Sequence, residues 1–347
     1  MKTLRYGDDA KQVIVMKRLL ANAGFPINST QNFDETTKFK IKEFQSLCNL
    51  TQDGIVGLNT WRELFQKGYK FNLGVKNYRL EKDEYISEIH QKNSIFLHHT
   101  AGDYRPDYTI AWWERDNKPR KLKRVGTAFV IGRKSISGNI DYDGITYRAF
   151  PEYYWAHHLG IPSSTLVNYS ASNKELNISS IGIEICSLGP LNKDSLGKFY
   201  FQASNNSKKY VSEEDVYIRS KPWKGHLYFQ KYTDKQIIEC KRLILNLAYL
   251  FNIALPNLVY DENWFELNKN ALNGKSGLWT HCNVRKDKTD CFPQPELIEM
   301  LNSLHNESLN FVPSLSSLES TVEGNPDIKL IDMEIIRNYA NDFNDIQ

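Results

Sequence analysis

The chain has few cysteines and no long apolar run. The cysteines stand at positions 48, 186, 240, 282 and 291, an odd number without zinc-finger spacing, so a disulfide framework is not expected. No segment approaches the roughly 20 consecutive apolar residues of a membrane-spanning helix. Residues 1–25 contain early acidic side chains and no apolar core of a secretory signal. We therefore expect synthesis in the cytoplasm without a signal peptide, and no membrane span.

Charge is balanced overall but unevenly distributed. The net charge is +3, while residues 301–347 carry many more acidic than basic side chains, so the remainder of the chain is basic. A basic surface suits an anionic polymer, although an unbiased scatter of lysines explains it equally well. The densest basic cluster is Lys118, Arg120, Lys121, Lys123 and Arg124. No known nucleic-acid-binding module accompanies it, so nucleic acid is not an expected partner.

Residues 1–66 have the periodicity of a small three-helix module. Apolar residues recur at helical spacing in three stretches: Val13, Met16 and Leu20; Thr37, Ile41, Phe44 and Cys48; Trp61, Leu64 and Phe65. Asp34 precedes the second stretch as a candidate N-cap. The segment Asp53-Gly54-Ile55-Val56-Gly57 predicts a tight turn before the third helix. A generic three-helix bundle has the same periodicity.

The segment from Trp279 to Cys291 contains candidate metal ligands. It includes His281, Lys288 and Asp290 within a short distance along the chain. A catalytic zinc ion takes three protein ligands and keeps one position open for water. The apolar run 95–97 predicts a buried strand that ends at His98, which makes His98 the best third ligand. Taken singly, each histidine is more often a surface or core residue than a ligand.

A glutamate interrupts the apolar segment Ser180-Ile181-Gly182-Ile183-Glu184-Ile185-Cys186. Alternation along a strand places the isoleucines on one face and Gly182, Glu184 and Cys186 on the other. Two interpretations remain open from this pattern alone. Glu184 is either a solvent-facing residue of an edge strand or a functional carboxylate, because a buried glutamate is costly unless it is paired.

Three segments together resemble the zinc-dependent type 2 N-acetylmuramoyl-L-alanine amidases. They are Ile95-Phe96-Leu97-His98-His99-Thr100-Ala101-Gly102, Ser180–Glu184, and His281 with Lys288-Thr289-Asp290. The resemblance covers roughly residues 85–305. It implies Zn²⁺ as cofactor, with His98, His281 and Asp290 as its ligands. Of the adjacent pair His98-His99, it selects His98. Cys291 is an alternative third ligand. The same resemblance implies catalytic roles for Glu184 and Lys288; without it, Lys288 reads as a solvated lysine in a charged run.

Two further segments resemble this family less closely. Val125–Ile131 is similar to its central strand, with Thr127 where some members carry a catalytic tyrosine, and Trp155–Gly160 is similar to its substrate-cleft segment. The resemblance implies substrate contacts by Thr127 and by His158, with His157 as the alternative. In residues 1–66, the motifs Leu4-Arg5-Tyr6-Gly7-Asp8 and Asp53–Trp61 resemble the peptidoglycan-binding domain of cell-wall hydrolases.

These observations predict a modular α/β protein with a mixed central β-sheet flanked by helices and a small N-terminal three-helix module. The expected domains are 1–66 for peptidoglycan binding, a linker at 67–85, a zinc amidase domain at 86–305 and an acidic tail at 306–347. Residues 187–230 are expected to form an inserted loop or hairpin, and a short acidic helix is expected near 328–339. A helix capped by Thr233 and a last helix around Leu297, Leu301 and Leu304 complete the domain.

The expected function is hydrolysis of the amide bond between N-acetylmuramic acid and the L-alanine of the stem peptide in bacterial peptidoglycan. The alternatives are a non-catalytic peptidoglycan receptor on the same fold and a zinc peptidase that cuts elsewhere in the stem. We expect a monomer that reaches the wall after release from the cytoplasm, by holin-dependent escape or through a secretion or injection system.

Overall fold

The computed structural model describes residues 1–311 apart from 69–74, 79, 103, 121–123 and 205. The predicted acidic helix near 328–339 and the tail from residue 312 lie outside the described residues. Part of the predicted linker also lies outside them, as do Lys121 and Lys123 of the basic cluster. The side chains of Lys118 and Arg120 are likewise not described.

The N-terminal module contains the three helices that the periodicity predicts. They are α1 (Lys11–Asn22), α2 (Glu35–Leu47) and α3 (Leu58–Gly68). Asp34 caps α2 as predicted, since its carboxylate accepts a hydrogen bond from the Thr37 amide at 2.8 Å. Gln45 holds the predicted turn, because its side chain donates to the Asp53 carboxylate and accepts from the Gly54 amide, both at 2.9 Å. Gly54 has a φ of +73°, which favours glycine.

The larger domain is built from two sheets and six helices within the described residues. The strands are β1 (Lys76–Asn77), β2 (Ser94–His99), β3 (Phe129–Ile131), β4 (Thr146–Arg148), β5 (Ser180–Ile185), β6 (Pro190–Lys193), β7 (Phe199–Gln202), β8 (Lys208–Val211), β9 (Val216–Trp223), β10 (His226–Gln230) and β11 (Gly277–Thr280). The helices are α4 (Pro106–Arg120), α5 (Ser163–Leu166), α6 (Asn173–Ser179), α7 (Asp234–Phe251), α8 (Lys269–Leu272) and α9 (Pro295–Leu309). Short 3-10 turns occupy Glu213–Asp215, Glu262–Phe265 and His281–Asn283.

The main sheet is mixed, as predicted. Its strand order is β1-β4-β3-β5-β2-β11, in which only β3 and β4 pair antiparallel. Strand β5 lies inside this sheet, between β3 and β2, so the edge-strand interpretation of Glu184 is wrong. Ile181, Ile183 and Ile185 are buried on the opposite face of β5, as the alternation predicts.

Residues 187–230 form more than the predicted loop or hairpin. They make a second, antiparallel sheet with the order β8-β7-β6-β10-β9. This sheet has a small core of its own, made by Leu188, Leu191, Phe199, Val211 and Val216. Three or more strands with a shared apolar face are stable where a lone hairpin is marginal.

Helices α7 and α9 pack together on the main domain. Thr233 caps α7 as predicted, with its hydroxyl accepting from the Gln236 amide at 3.2 Å. The predicted stripe from Ile237 to Phe251 is buried, and so are Leu297, Leu301 and Leu304 of α9. Among the described residues, no helix combines the length and apolar character needed to cross a membrane.

The N-terminal module is docked on the larger domain. The Phe65 ring of α3 lies 4.5 Å from the Tyr153 ring and 6.1 Å from the Phe251 ring, measured between centroids, and Phe65 is only 1% exposed. The Arg18 guanidinium of α1 lies 4.1 Å from the centroid of the Tyr249 ring. The apolar cores of the two parts therefore form one continuous cluster.

Candidate metal centre

Parallel strands bring the predicted ligands to one edge of the main sheet. His98 stands near the carboxyl end of β2, and His281 directly follows the neighbouring strand β11. Because β2 and β11 run parallel and in register, their carboxyl ends meet. Asp290 comes from the loop after the 3-10 turn His281–Asn283. All three side chains are buried, and one ligand atom from each lies within 4.8 Å of the others.

The distances between these atoms match the demands of a tetrahedral ion. The Nδ1 atoms of His98 and His281 are 3.1 Å apart. Asp290 Oδ2 lies 3.3 Å from His98 Nδ1 and 2.9 Å from His281 Nδ1. Bonds of about 2.0–2.1 Å to zinc place tetrahedral ligand atoms about 3.3 Å from one another. The triangle of donor atoms therefore needs little adjustment to hold such an ion.

The orientation of the rings supports the same conclusion. His281 Nε2 lies 2.7 Å from the carbonyl oxygen of Leu159, which can only accept, so Nε2 carries the proton. In the neutral ring, Nδ1 then presents a lone pair to the site. Burial lowers the pKa of His98 to about 4, so the His98 ring is neutral near pH 7. A cation satisfies the two imidazoles and the carboxylate that converge here, and these are zinc-binding ligand types.

Glu184 and Lys288 line the same pocket, whose volume is roughly 300 Å³. The candidate ligands His98, His281 and Asp290 line it too. The other lining residues are His99, Thr100, Ala101, Trp113, Val125, Gly126, Thr127, His158, Asp287 and Thr289. Burial and the neighbouring charge of Asp290 raise the pKa of Glu184 to about 8, against the opposing charge of Lys288. A carboxyl with a pKa near neutrality is suited to exchanging protons.

The alternatives to these ligands are engaged elsewhere. His99 also lines the pocket, but its Nδ1 lies 2.9 Å from the Tyr232 hydroxyl. The thiol of Cys291 also hydrogen-bonds to Tyr232, and burial raises its pKa. Asp290, not Cys291, therefore faces the two histidines.

Thr127 and His158, the two residues predicted to contact substrate, both line the pocket. Thr127 is buried, and its hydroxyl donates to the Phe129 carbonyl at 3.0 Å. The strand predicted at Val125–Ile131 begins only at Phe129, since Val125 pairs in an isolated bridge with His157. His158 lies behind His98, with its Nδ1 3.0 Å from His98 Nε2.

Some groups in this arrangement carry no signal in the sequence. The Leu159 carbonyl orients His281, but every residue has a carbonyl and its role depends on the fold. The side chain of Asn177 holds the amides of His158 and Leu159 at 2.7 and 3.1 Å. An asparagine in a short helix gives no hint of such a contact. The role of Asn177 is recognised only in the structure, where its buried side-chain amide has two backbone partners.

The fold is an α/β fold with a mixed central sheet. At one edge of this sheet, two histidines and an aspartate converge beside a glutamate of raised pKa, and they form a candidate metal centre. Two protein-family models match the chain. A model described as N-acetylmuramoyl-L-alanine amidase matches residues 90–293, and one described as putative peptidoglycan binding domain matches residues 9–64. The amidase model covers more than half of the chain, which therefore belongs to the N-acetylmuramoyl-L-alanine amidase family. The resemblance seen in the sequence is confirmed.

Two solved structures show partial similarity. A Burkholderia AP3 phage endolysin is 35% identical over 18% of this chain and 24% of its own, with a TM-score of 0.18. The chain thus spans about a quarter of that endolysin. The Staphylococcus aureus hydrolase AmiA, solved with its ligand, is 11% identical over 69% of this chain and 87% of its own, with a TM-score of 0.37. The family assignment rests on the family models, not on these likenesses.

Proposed function

We propose that the protein is a peptidoglycan hydrolase that cleaves the amide bond between N-acetylmuramic acid and the L-alanine of the stem peptide. One observation carries the proposal: in a chain of this family, the ligand atoms of His98, His281 and Asp290 converge in a pocket that Glu184 and Lys288 also line. The pocket thus gathers the proposed metal ligands, a carboxyl and a lysine around one space.

The three convergent side chains are proposed as ligands of Zn²⁺. The ligand types and their separations suit this ion, as the distances of 2.9–3.3 Å between donor atoms indicate. When bound, zinc supplies Lewis-acid polarisation of the scissile carbonyl and lowers the pKa of water toward neutrality. The buried ligand side chains fix the position at which that chemistry takes place.

Glu184 is proposed as the proton carrier. Its carboxylate accepts a proton from the attacking water and returns it to the amine nitrogen that leaves. This role needs a carboxyl that exchanges protons near neutral pH, and the raised pKa of about 8 meets that need. The main chain of β5 holds Glu184 rigidly, because β5 is paired on both sides.

Lys288 is proposed to stabilise negative charge. Lys288 lines the pocket, and its positive charge opposes the rise in the pKa of the Glu184 carboxyl. The same charge favours the amide oxygen as it becomes negative during attack. A preorganised donor of this kind contributes about 3–4 kcal/mol in comparable sites.

The N-terminal module is proposed to bind the same polymer. Residues 9–64 match a peptidoglycan-binding model, and the module is docked on the catalytic domain through Phe65 and Arg18. The polymer bound by the module is thus held at a fixed position relative to the pocket. We further propose that the protein acts on the wall after release from the cytoplasm, and as a monomer.

Digestion of purified peptidoglycan, followed by mass spectrometry, tests the bond assignment. We expect free stem peptides that begin with L-alanine, and no new reducing sugar ends. Cuts inside the stem would identify a zinc peptidase instead. Binding to peptidoglycan without any released product, together with the absence of zinc from the purified protein, would identify a receptor on the same fold.

A further inference from the structure

We propose that the dipeptide His158-Leu159 is the positioning element that fixes the ring tautomers of both candidate ligand histidines. The inference rests on the proposed function in one respect, since it takes His98 and His281 as metal ligands. The dipeptide reaches both rings from behind: His158 Nδ1 lies 3.0 Å from His98 Nε2, and the Leu159 carbonyl lies 2.7 Å from His281 Nε2.

The tautomer of His98 follows from a chain of hydrogen bonds that begins at a backbone carbonyl. Ser180 Oγ lies 2.6 Å from the Leu176 carbonyl oxygen, which can only accept, so the serine hydroxyl donates to it. Ser180 Oγ must then accept from His158 Nε2, 2.9 Å away. His158 therefore carries its proton on Nε2 and has a lone pair on Nδ1.

The next hydrogen bond in this series fixes the tautomer of the candidate ligand His98. The lone pair on His158 Nδ1 accepts a hydrogen bond from His98 Nε2, so the proton of His98 stays on Nε2. His98 Nδ1 is left with a lone pair, and this is the atom that faces His281 and Asp290. Ligating histidines are oriented in this way when the far ring nitrogen donates to a fixed acceptor.

Leu159 fixes the tautomer of His281 independently of those hydrogen bonds. Its carbonyl accepts from His281 Nε2–H and leaves the Nδ1 lone pair toward the site. The two acceptors are adjacent in sequence, so one short segment determines both orientations. Both ring nitrogens of His158 are engaged in these hydrogen bonds.

The position of the dipeptide is itself fixed. Asn177 of α6 accepts from the amides of His158 and Leu159, at 2.7 and 3.1 Å. Asn177 Nδ2 donates in turn to the Asn173 carbonyl at 2.6 Å. Gly182 of β5 makes room for the imidazole, since a Cβ at that position would lie 3.1 Å from His158 Nδ1 and 2.7 Å from Thr127 Cγ2.

A pair of serine variants tests the relay in the full-length protein. Ser180→Ala removes the hydroxyl that holds the His158 proton on Nε2 without touching either ligand. Ser94→Ala is the matched control, because Ser94 is equally buried and pairs in register with Ser180 on the adjacent strand. We expect Ser180→Ala to weaken zinc binding by about ten- to a hundredfold, which is the usual effect of replacing a group that orients a metal ligand. We expect Ser94→Ala to leave zinc binding unchanged. Competition with a fluorescent zinc chelator gives the affinities.

A second pair separates hydrogen bonding from packing. His158→Gln keeps an acceptor toward His98 and a donor toward Ser180, whereas His158→Leu fills similar space without either. We expect the glutamine variant to retain most of the zinc affinity and the leucine variant to lose about ten- to a hundredfold. Equal affinities of the two variants would overturn the relay, because a purely structural role would not distinguish them.

The tautomers are measured directly by ¹⁵N NMR of the metal-free protein with labelled histidine. We expect His98 and His281 to be protonated on Nε2 in the wild type, and His98 to shift toward Nδ1–H in Ser180→Ala. A wild type with either ring protonated on Nδ1 would overturn the inference. A wild type with the expected tautomers that binds no zinc would instead remove the metal from the proposed function and leave the relay standing.

Discussion

Glu184 and His98 are direct partners across two parallel strands. They occupy the same register position on β5 and β2, one residue before each strand ends. Parallel strands in register carry paired side chains on the same face of the sheet, so the proposed proton carrier and the first proposed ligand face one pocket. The next pair in the register is His99 and Ile185, and His99 Nδ1 lies 2.9 Å from the Tyr232 hydroxyl. The contacts of the two rings thus distinguish His98, which lies beside His281 and Asp290, from His99, which lies beside Tyr232.

Replacement of Glu184 by glutamine should separate metal binding from turnover. The variant keeps the size of the side chain but cannot accept a proton, so we expect zinc content to be retained and kcat to fall by about 10²–10⁴-fold. Glu299→Gln is the matched control, because Glu299 is exposed on α9, away from the pocket lining. Release of stem peptides and metal analysis are measured on the same samples. Wild-type turnover in Glu184→Gln would remove this residue from the mechanism.

Asp290 and Cys291 are neighbours that offer a direct test of the third ligand. Asp290→Ala removes the oxygen that lies 2.9 Å from His281 Nδ1, so we expect zinc affinity to fall by more than a hundredfold, beyond the usual cost of an outer-shell change. Cys291→Ser should leave zinc affinity near the wild-type value, because the thiol is engaged with Tyr232. The opposite ranking of the two variants would assign the ligand to Cys291.

The sequence predicts a structural feature well when the residues that determine the feature lie close together along the chain. The cap at Thr233 and the apolar stripe of α7 are fixed by residues a few positions apart, and both were predicted correctly. The position of β5 inside the sheet depends on which distant strands flank it, so the pattern around Glu184 left edge and interior open. The sheet at 187–230 is similar, because its strands are short and their pairing is set by turns rather than by periodicity.

The candidate site divides in the same way. His98, His281, Asp290 and Glu184 were predicted from their residue types together with the resemblance to the amidases. The Leu159 carbonyl and the Asn177 amide were not, since their roles arise from distances that only the folded chain defines. Candidate metal ligands can therefore be predicted from side-chain chemistry and family resemblance, whereas the groups that orient them cannot.

The buried Lys92 should make stability depend on pH. Burial lowers the pKa of its ammonium to about 7 from an ordinary value of 10.5, and its Nζ donates to the Ile178 carbonyl at 2.7 Å. Between these two values the unfolded chain binds more protons than the folded one. The free energy of unfolding therefore rises with pH across this window, by up to about 1.4 kcal/mol per unit. Below pH 7 the contribution is constant, because both states are protonated.

Lys92→Met removes this titration, so the difference in stability between wild type and variant should change between pH 7 and pH 9. We expect a change on the order of 2 kcal/mol in favour of the wild type at pH 9, measured by urea unfolding at both values. Lys174→Met is the control, since Lys174 is exposed on α6. A difference that stays constant from pH 7 to pH 9 would mean that Lys92 keeps its ordinary pKa in the folded protein.

Phe65 should couple the stability of the N-terminal module to that of the catalytic domain. Truncation to alanine in Phe65→Ala leaves a cavity against Tyr153 and Phe251, and such losses cost about 3–5 kcal/mol. Phe33→Ala is the matched control, because Phe33 is fully buried in the N-terminal module. Hydrogen exchange of the α7 amides distinguishes the two variants. We expect exchange in α7 to accelerate in Phe65→Ala beyond its rate in Phe33→Ala, since only Phe65 packs on the Phe251 ring at the end of that helix. Equal rates in the two variants would show that the module and the catalytic domain are stabilised independently, despite the contacts between them.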